Sequence, residues 1–246
     1  MPPDLLCRPI AHRGLHGPGV PENTRSAFRA AVAAGYAIEL DLQPASDGTP
    51  LVFHDHDLQR LTGQPGTIST LSMDGAGQRR LLGSDDTIPT LQAVLDEIDA
   101  RVPLLVEIKD QDGQLGPDIG PLPERVALLL ADHADHVAVM SFNPHMVAAV
   151  HDIAPQLTVG LTTCGFAPDD WPALPAARRA DLARIADFDG VGASFVSHHH
   201  LDLANPAVAA LRARGVPVFC WTIRSRDQET AARRHADNIT FEGYRP

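Results

Sequence analysis

Residues 104–142 read LLVEIKDQDGQLGPDIGPLPERVALLLADHADHVAVMSF. The apolar run LLVEIK at 104–109 predicts a buried strand, and 110–120 a Gly/Asp/Pro loop. Residues 122–133 carry a helical pattern, and HVAVMSF at 136–142 predicts a second buried strand. Strand, helix and strand in this order make a parallel pair with a crossover, and apolar residues at successive positions suit strands covered on both faces.

The same alternation runs outward in both directions. Residues 5–11 predict a strand ending in AHRG, and a helix opens after Pro21 with Asn23 as N-cap. YAIELD at 36–41, LVF at 51–53, LTVGLT at 157–162, DGVGAS at 189–194, VPVFCWT at 216–222 and NITF at 238–241 supply further strands. Helices are expected at 90–98, after 143, at 206–214 and at 227–236. Between Asp41 and Leu51 the chain is too short for a crossover, so 51–53 reads as a hairpin return. Residues 56–89 then read as an irregular excursion. What remains is an α/β TIM-type (β/α)8 barrel, expected to occupy 1–246 as a single domain.

The chain has 246 residues and a formal charge of −11, which disfavours nucleic-acid binding and attachment to an anionic membrane. Cys7, Cys164 and Cys220 form no spaced pair, and Cys7 and Cys220 read as buried. No leader with a basic and then an apolar segment opens the text, and no apolar run approaches 18 residues. A cytoplasmic, reducing setting is the expectation. Oligomeric state is not readable.

Chemistry collects at strand ends. His12 and Arg13 follow the first strand, Glu39 and Asp41 close the second, His54 and Asp55 follow the hairpin, and Glu107 and Lys109 close the strand at 104–109. Residues two apart share a face of a strand, and barrel active sites sit at the C-terminal strand ends. Three carboxylates meeting there repel unless a cation joins them, and an all-oxygen set suits Mg2+ or Ca2+. Lys109 is the only lysine. His198, His199 and His200 read as a loop beside the mouth of the barrel, with no spacing for a closed metal site.

The ordered set AHRG, PENT, ELDLQ, LVFHD, VEIK and CWT resembles the glycerophosphodiester phosphodiesterase family from His12 to the end of the chain. The resemblance implies a TIM-type barrel, one divalent cation, and hydrolysis of small glycerophosphodiesters to sn-glycerol 3-phosphate and an alcohol. It implies that His12 and His54 are the acid–base pair, that Glu39, Asp41 and Glu107 hold the metal, and that Arg13 and Lys109 contact phosphate. Trp221 is placed to line the substrate site or to pack in the core, and Phe142 to pack on glycerol or on its own loop. Glu22 fits either the cleft or a helix start, while Asn23 reads as structural. A lyase that stops at a cyclic phosphate and a silent phosphate-binding barrel are the alternatives. One departure stands out. The family closes on Ile-Thr-Asp, whereas this chain reads Ile239-Thr240-Phe241-Glu242, so Glu242 is the available substitute for the aspartate.

Overall fold

The computed structural model describes residues 1–246. Its strands are β1 (Ile10–Ala11), β2 (Ala37–Pro44), β3 (Pro50–Val52), β4 (Leu104–Ile108), β5 (Val137–Ser141), β6 (Thr158–Thr163), β7 (Phe195–His199), β8 (Val218–Ile223) and β9 (Asn238–Phe241). β3 pairs antiparallel with β2, as expected of the hairpin. All others pair parallel, and β1 bonds to both β2 and β9, which closes an eight-stranded barrel.

Helices cover its outside: α1 (Arg25–Ala34), α2 (Gln59–Thr62), α3 (Met73–Gln78), α4 (Leu91–Ile98), α5 (Leu122–Leu130), α6 (Pro144–Ile153), α7 (Ala176–Ala183), α8 (Pro206–Ala213) and α9 (Arg226–Ala232). α2 and α3 lie in the 56–89 excursion, whose small core (Leu58, Ile68, Ala76, Leu81, Ile88) packs on Leu51 and Phe53 of the hairpin.

Strand alternation sorts the side chains into two layers. On β2, Ile38, Leu40 and Leu42 face outward into the core beneath the helices, and on β4 Leu104, Val106 and Ile108 do the same. The inward positions change character along the barrel. Its floor is apolar, built from Ile10, Ala37, Leu105, Ala138, Phe195 and Phe219, with Leu5 among them. Leu5 sits on a 3-10 turn, Pro3–Leu6, and the Asn238 amide ties this turn down by donating to the carbonyls of Leu5 (2.7 Å) and Arg8 (2.6 Å). Above the floor, the inward positions of β2 and β4 are Glu39, Asp41 and Glu107.

Five local expectations are corrected. The first strand is only Ile10–Ala11, because Pro3 and the 3-10 turn occupy the text before it. The seventh strand is Phe195–His199, not 189–194: Gly192 takes φ 69°, a turn conformation, and the aromatic and β-branched Phe195-Val196 begin the ladder instead. His198 and His199 therefore lie in a strand rather than a loop, and His198 is fully buried against Thr163. The N-cap of α1 is Thr24, whose Oγ1 accepts from the Ala27 N–H at 3.2 Å, while Asn23 is left-handed at φ 56°. Cys7 is exposed.

Gly160 on β6 faces the floor, and a Cβ built there would lie 2.5 Å from the Phe195 ring. Gly160→Ala should therefore destabilise the protein by about 1–3 kcal/mol. Urea unfolding followed by circular dichroism checks this, and an unchanged midpoint would mean that the ring moves aside without cost.

Candidate active site

The parallel register of β2 and β4 sets Asp41 directly beside Glu107, with Glu39 one inward step below Asp41. The carboxylate oxygens of Glu39, Asp41 and Glu107 lie within 4.8 Å of one another, and all three residues are buried. At that separation each ionised pair repels by about 3.5 kcal/mol at an effective dielectric of ~20. Two cationic side chains meet this charge. Lys109 Nζ lies 2.7 Å from Asp41 Oδ1 and also contacts Glu107 Oε1. Arg13 donates its backbone N–H to Glu39 Oε2 at 2.8 Å, and its Nε is 3.3 Å from Asp41 Oδ2.

Two residues outside the strands shape this contact. Arg13 adopts φ 54°, and Gly14 follows at φ 80° where a Cβ would strike Ala27 at 2.8 Å. This turn brings the arginine back over β2. Asn23, also left-handed, donates from Nδ2 to Asp41 Oδ2 at 2.8 Å and accepts the Asp41 N–H on Oδ1 at 3.3 Å. Asparagine tolerates that backbone better than most residues. Asn23 thus reaches the site itself, a role its text position did not signal. Glu22 accepts from Arg13 at 2.6 Å and from Arg60 at 2.7 and 2.9 Å, which places it at the cleft edge.

The carboxylates are unequal. Burial, then the charges of Asp41 and Glu107, push Glu39 well above the ordinary carboxylate range, and Lys109 and Arg13 offset only part of this. Burial also opposes charge on Asp41, but Lys109, followed by His54 and Arg13, outweighs it and holds Asp41 below its ordinary value. For Lys109, burial favours the neutral amine, yet Asp41 and Glu107 raise it overall. Ionised together, the three buried acids would face two cationic side chains and leave one unit of negative charge without a partner, the charge that burial otherwise disfavours on Glu39. That excess, on hard oxygen donors converging from neighbouring strands, fits a divalent cation of the Mg2+ or Ca2+ kind.

Two imidazoles border the same cleft. His12 Nδ1 lies 2.6 Å from Glu242 Oε2, and His54 Nδ1 lies 2.8 Å from Asp55 Oδ1. Asp55 also accepts from Arg60 Nε at 2.6 Å. Burial holds His12 below the ordinary histidine value, with the Glu242 bond pulling partly back. The cleft has a volume of about 180 Å3, and every residue singled out above for acid–base, metal or substrate contact lines it: His12, Arg13, Glu39, Asp41, His54, Glu107, Lys109, Phe142 and Trp221. Arg224 stands at its rim. Phe142 and Trp221 form an aromatic wall, with ring centroids 5.6 Å apart at 84°, and Trp221 Nε1 donates to the Ser197 carbonyl at 3.0 Å.

Residues 12–240 match the glycerophosphoryl diester phosphodiesterase family. The chain belongs to that family. A Bacillus subtilis relative named for this enzyme class is 29% identical over 240 residues, covering 94% of this chain and 90% of its own. A glycerophosphodiester phosphodiesterase of Caldanaerobacter subterraneus is 29% identical over 244 residues, covering 94% and 91%. Among solved structures, an Oleispira antarctica phosphodiesterase in complex with sn-glycerol-3-phosphate shares the fold with a TM-score of 0.75, at 22% identity over 95% of this chain and 91% of its own. The family match stops at Thr240, so Glu242, the carboxylate on His12, lies just past it.

Lys109→Met would leave Asp41 and Glu107 buried beside one another without their shared ammonium. It should cost about 3–5 kcal/mol of stability in chelator, and added Mg2+ or Ca2+ should recover part of the loss. Thermal unfolding with and without the ion reads both effects.

Proposed function

We propose that this protein is a metal-dependent hydrolase that converts glycerophosphodiesters to sn-glycerol 3-phosphate and an alcohol. The observation that carries this reading is one cleft holding two imidazoles, each with Nδ1 on a carboxylate, beside three buried carboxylates and two cationic side chains. The cation would be Mg2+ or Ca2+, held by Glu39, Asp41 and Glu107. When bound, it supplies positive charge that favours the extra negative charge phosphate oxygens acquire during attack.

The chain's own residues supply the remainder. A carboxylate on Nδ1 fixes the tautomer in which Nε2 is free to take a proton. His12, the more enclosed of the two at 13% side-chain exposure, is the base that withdraws the proton from the attacking hydroxyl. His54, at 32%, lies nearer the solvent through which an alcohol departs, and acts as the acid. Arg13 offers a rigid fork to the phosphate and Lys109 a point charge. Phe142 and Trp221 give the glycerol carbons an apolar wall. The attacking hydroxyl belongs to water or to the substrate's own glycerol, and in the second case a cyclic phosphate precedes product.

With glycerophosphocholine, glycerophosphoethanolamine and glycerophosphoglycerol as substrates, release of glycerol 3-phosphate should be abolished by chelator and restored by Mg2+ or Ca2+. His12→Ala and His54→Ala should each lower kcat by about 100-fold or more without changing the circular dichroism spectrum. Near-wild-type rates in both variants would end the proposal, and a persistent cyclic phosphate would replace hydrolysis by the lyase reaction. Glu242→Gln removes a charge that raises the His12 pKa. The acid limb of kcat/KM should therefore move to lower pH, while the plateau falls because the imidazole is less firmly held. A pH–rate profile that keeps its limb would remove Glu242 from this role.

A further inference from the structure

Beside the carboxylate trio stands a second cluster of different chemistry. One ligand atom each from His12, His16 and Glu242 lies within 4.8 Å of the others. His12 Nδ1 is 2.6 Å from Glu242 Oε2, and His16 Nε2 is 3.6 Å from the same oxygen. That His16 nitrogen is buried and has no hydrogen-bond partner. The other oxygen, Glu242 Oε1, is taken up by Arg224 at 2.7 Å. The carboxylate is thereby anchored, with one oxygen turned to two imidazoles.

We propose that His12, His16 and Glu242 form a site for a borderline transition-metal ion, with Zn2+ as the expected occupant, and that its occupation inhibits the enzyme. Two imidazole nitrogens and one carboxylate are a zinc donor set, whereas the three-oxygen trio suits harder ions. Zn–N and Zn–O bonds of about 2.0–2.2 Å put neighbouring ligands of a tetrahedral ion roughly 3.4 Å apart. The two observed separations, 2.6 and 3.6 Å, bracket that edge. Small shifts of His12 and His16 would therefore close the site. Glu242 already turns its Oε2 toward both imidazoles. Arg224 on its second oxygen orients it as an outer-shell partner orients a ligand. An ion need not pass through the catalytic cleft, because His16 also borders an outer groove of about 300 Å3 with Val20, Pro21 and Glu22.

The consequence for catalysis rests on the base role given to His12 above. An ion on Nδ1 would displace the proton that Nδ1 donates to Glu242, and that proton would pass through solvent to Nε2. The neutral imidazole then carries its single proton on Nε2 and can no longer accept one from the attacking hydroxyl. No bond to substrate is made or broken, and the block lifts when the ion leaves.

The test uses tag-free protein saturated with Mg2+ and equilibrated with Zn2+. Bound zinc is measured by atomic absorption, and hydrolysis is assayed in parallel. The wild type should retain one zinc per chain against excess Mg2+ and should lose activity. His16→Ala and the bulkier His16→Gln should retain none, keep the zinc-free rate, and need at least tenfold more zinc for the same inhibition. The proposal is overturned if the wild type binds no zinc under Mg2+. It is also overturned if the His16 variants bind and respond as the wild type does, which would put the zinc on the carboxylate trio. Zinc bound without inhibition would remove His12 from the ligand set. Should no glycerophosphodiester be hydrolysed at all, zinc stoichiometry still reads the site, so failure of the function and failure of the site are separable.

Discussion

Three carboxylates buried within 4.8 Å of one another are the constraint around which this barrel is arranged. Burial and mutual repulsion both work against their ionisation, and no rearrangement of rotamers removes the conflict, because the register of β2 and β4 sets Asp41 beside Glu107. The neighbouring features answer that charge. The single lysine lies between Asp41 and Glu107, and Arg13 turns back through a left-handed residue to give Glu39 its N–H. Such strain persists only where its surroundings over-determine it, and the turn is hemmed in by α1, where a Cβ on Gly14 would meet Ala27 at 2.8 Å and Phe28 at 3.0 Å.

The closed sheet makes the arrangement affordable. Every second residue of β2 and β4 points into a barrel whose floor is filled by Leu5, Phe195 and Phe219, so water does not reach the acids from below. The alternate residues anchor the same strands beneath the helices. A helix could not do this as simply. Its 3.6-residue period would spread the acids around an axis, whereas the two-residue period of a strand stacks Glu39 over the floor and Asp41 over Glu39.

This explains which parts of the molecule were legible in the text. Strand alternation is local, so the barrel, the hairpin at β3 and the inward carboxylates follow from short-range pattern. The features that were missed depend on backbone conformation or on distant partners. DGVGAS looks like a strand by hydropathy, but Gly192 turns, and pairing begins only at Phe195. Asn23 looks like a cap, yet one left-handed residue shifts capping to Thr24 and sends the amide to Asp41. Glu242 was visible as a displaced acid at the end of the last strand. That it bonds His12, 230 positions earlier, follows only from closure of β9 on β1.

Closure also gives the 56–89 excursion a physical reason. Its own core seats it on the β3 hairpin, and from there Arg60 reaches two acids at once: Asp55, which holds His54, and Glu22, which holds Arg13. One guanidinium thus joins the partner of an imidazole to the partner of a cationic side chain beside the carboxylates. An Arg60 exposed on a free loop would lose most of the value of these ion pairs to solvent screening and side-chain entropy. Carried on a packed excursion, its backbone is already fixed, and only its half-exposed side chain has to be ordered to meet both acids beside the mouth of the barrel.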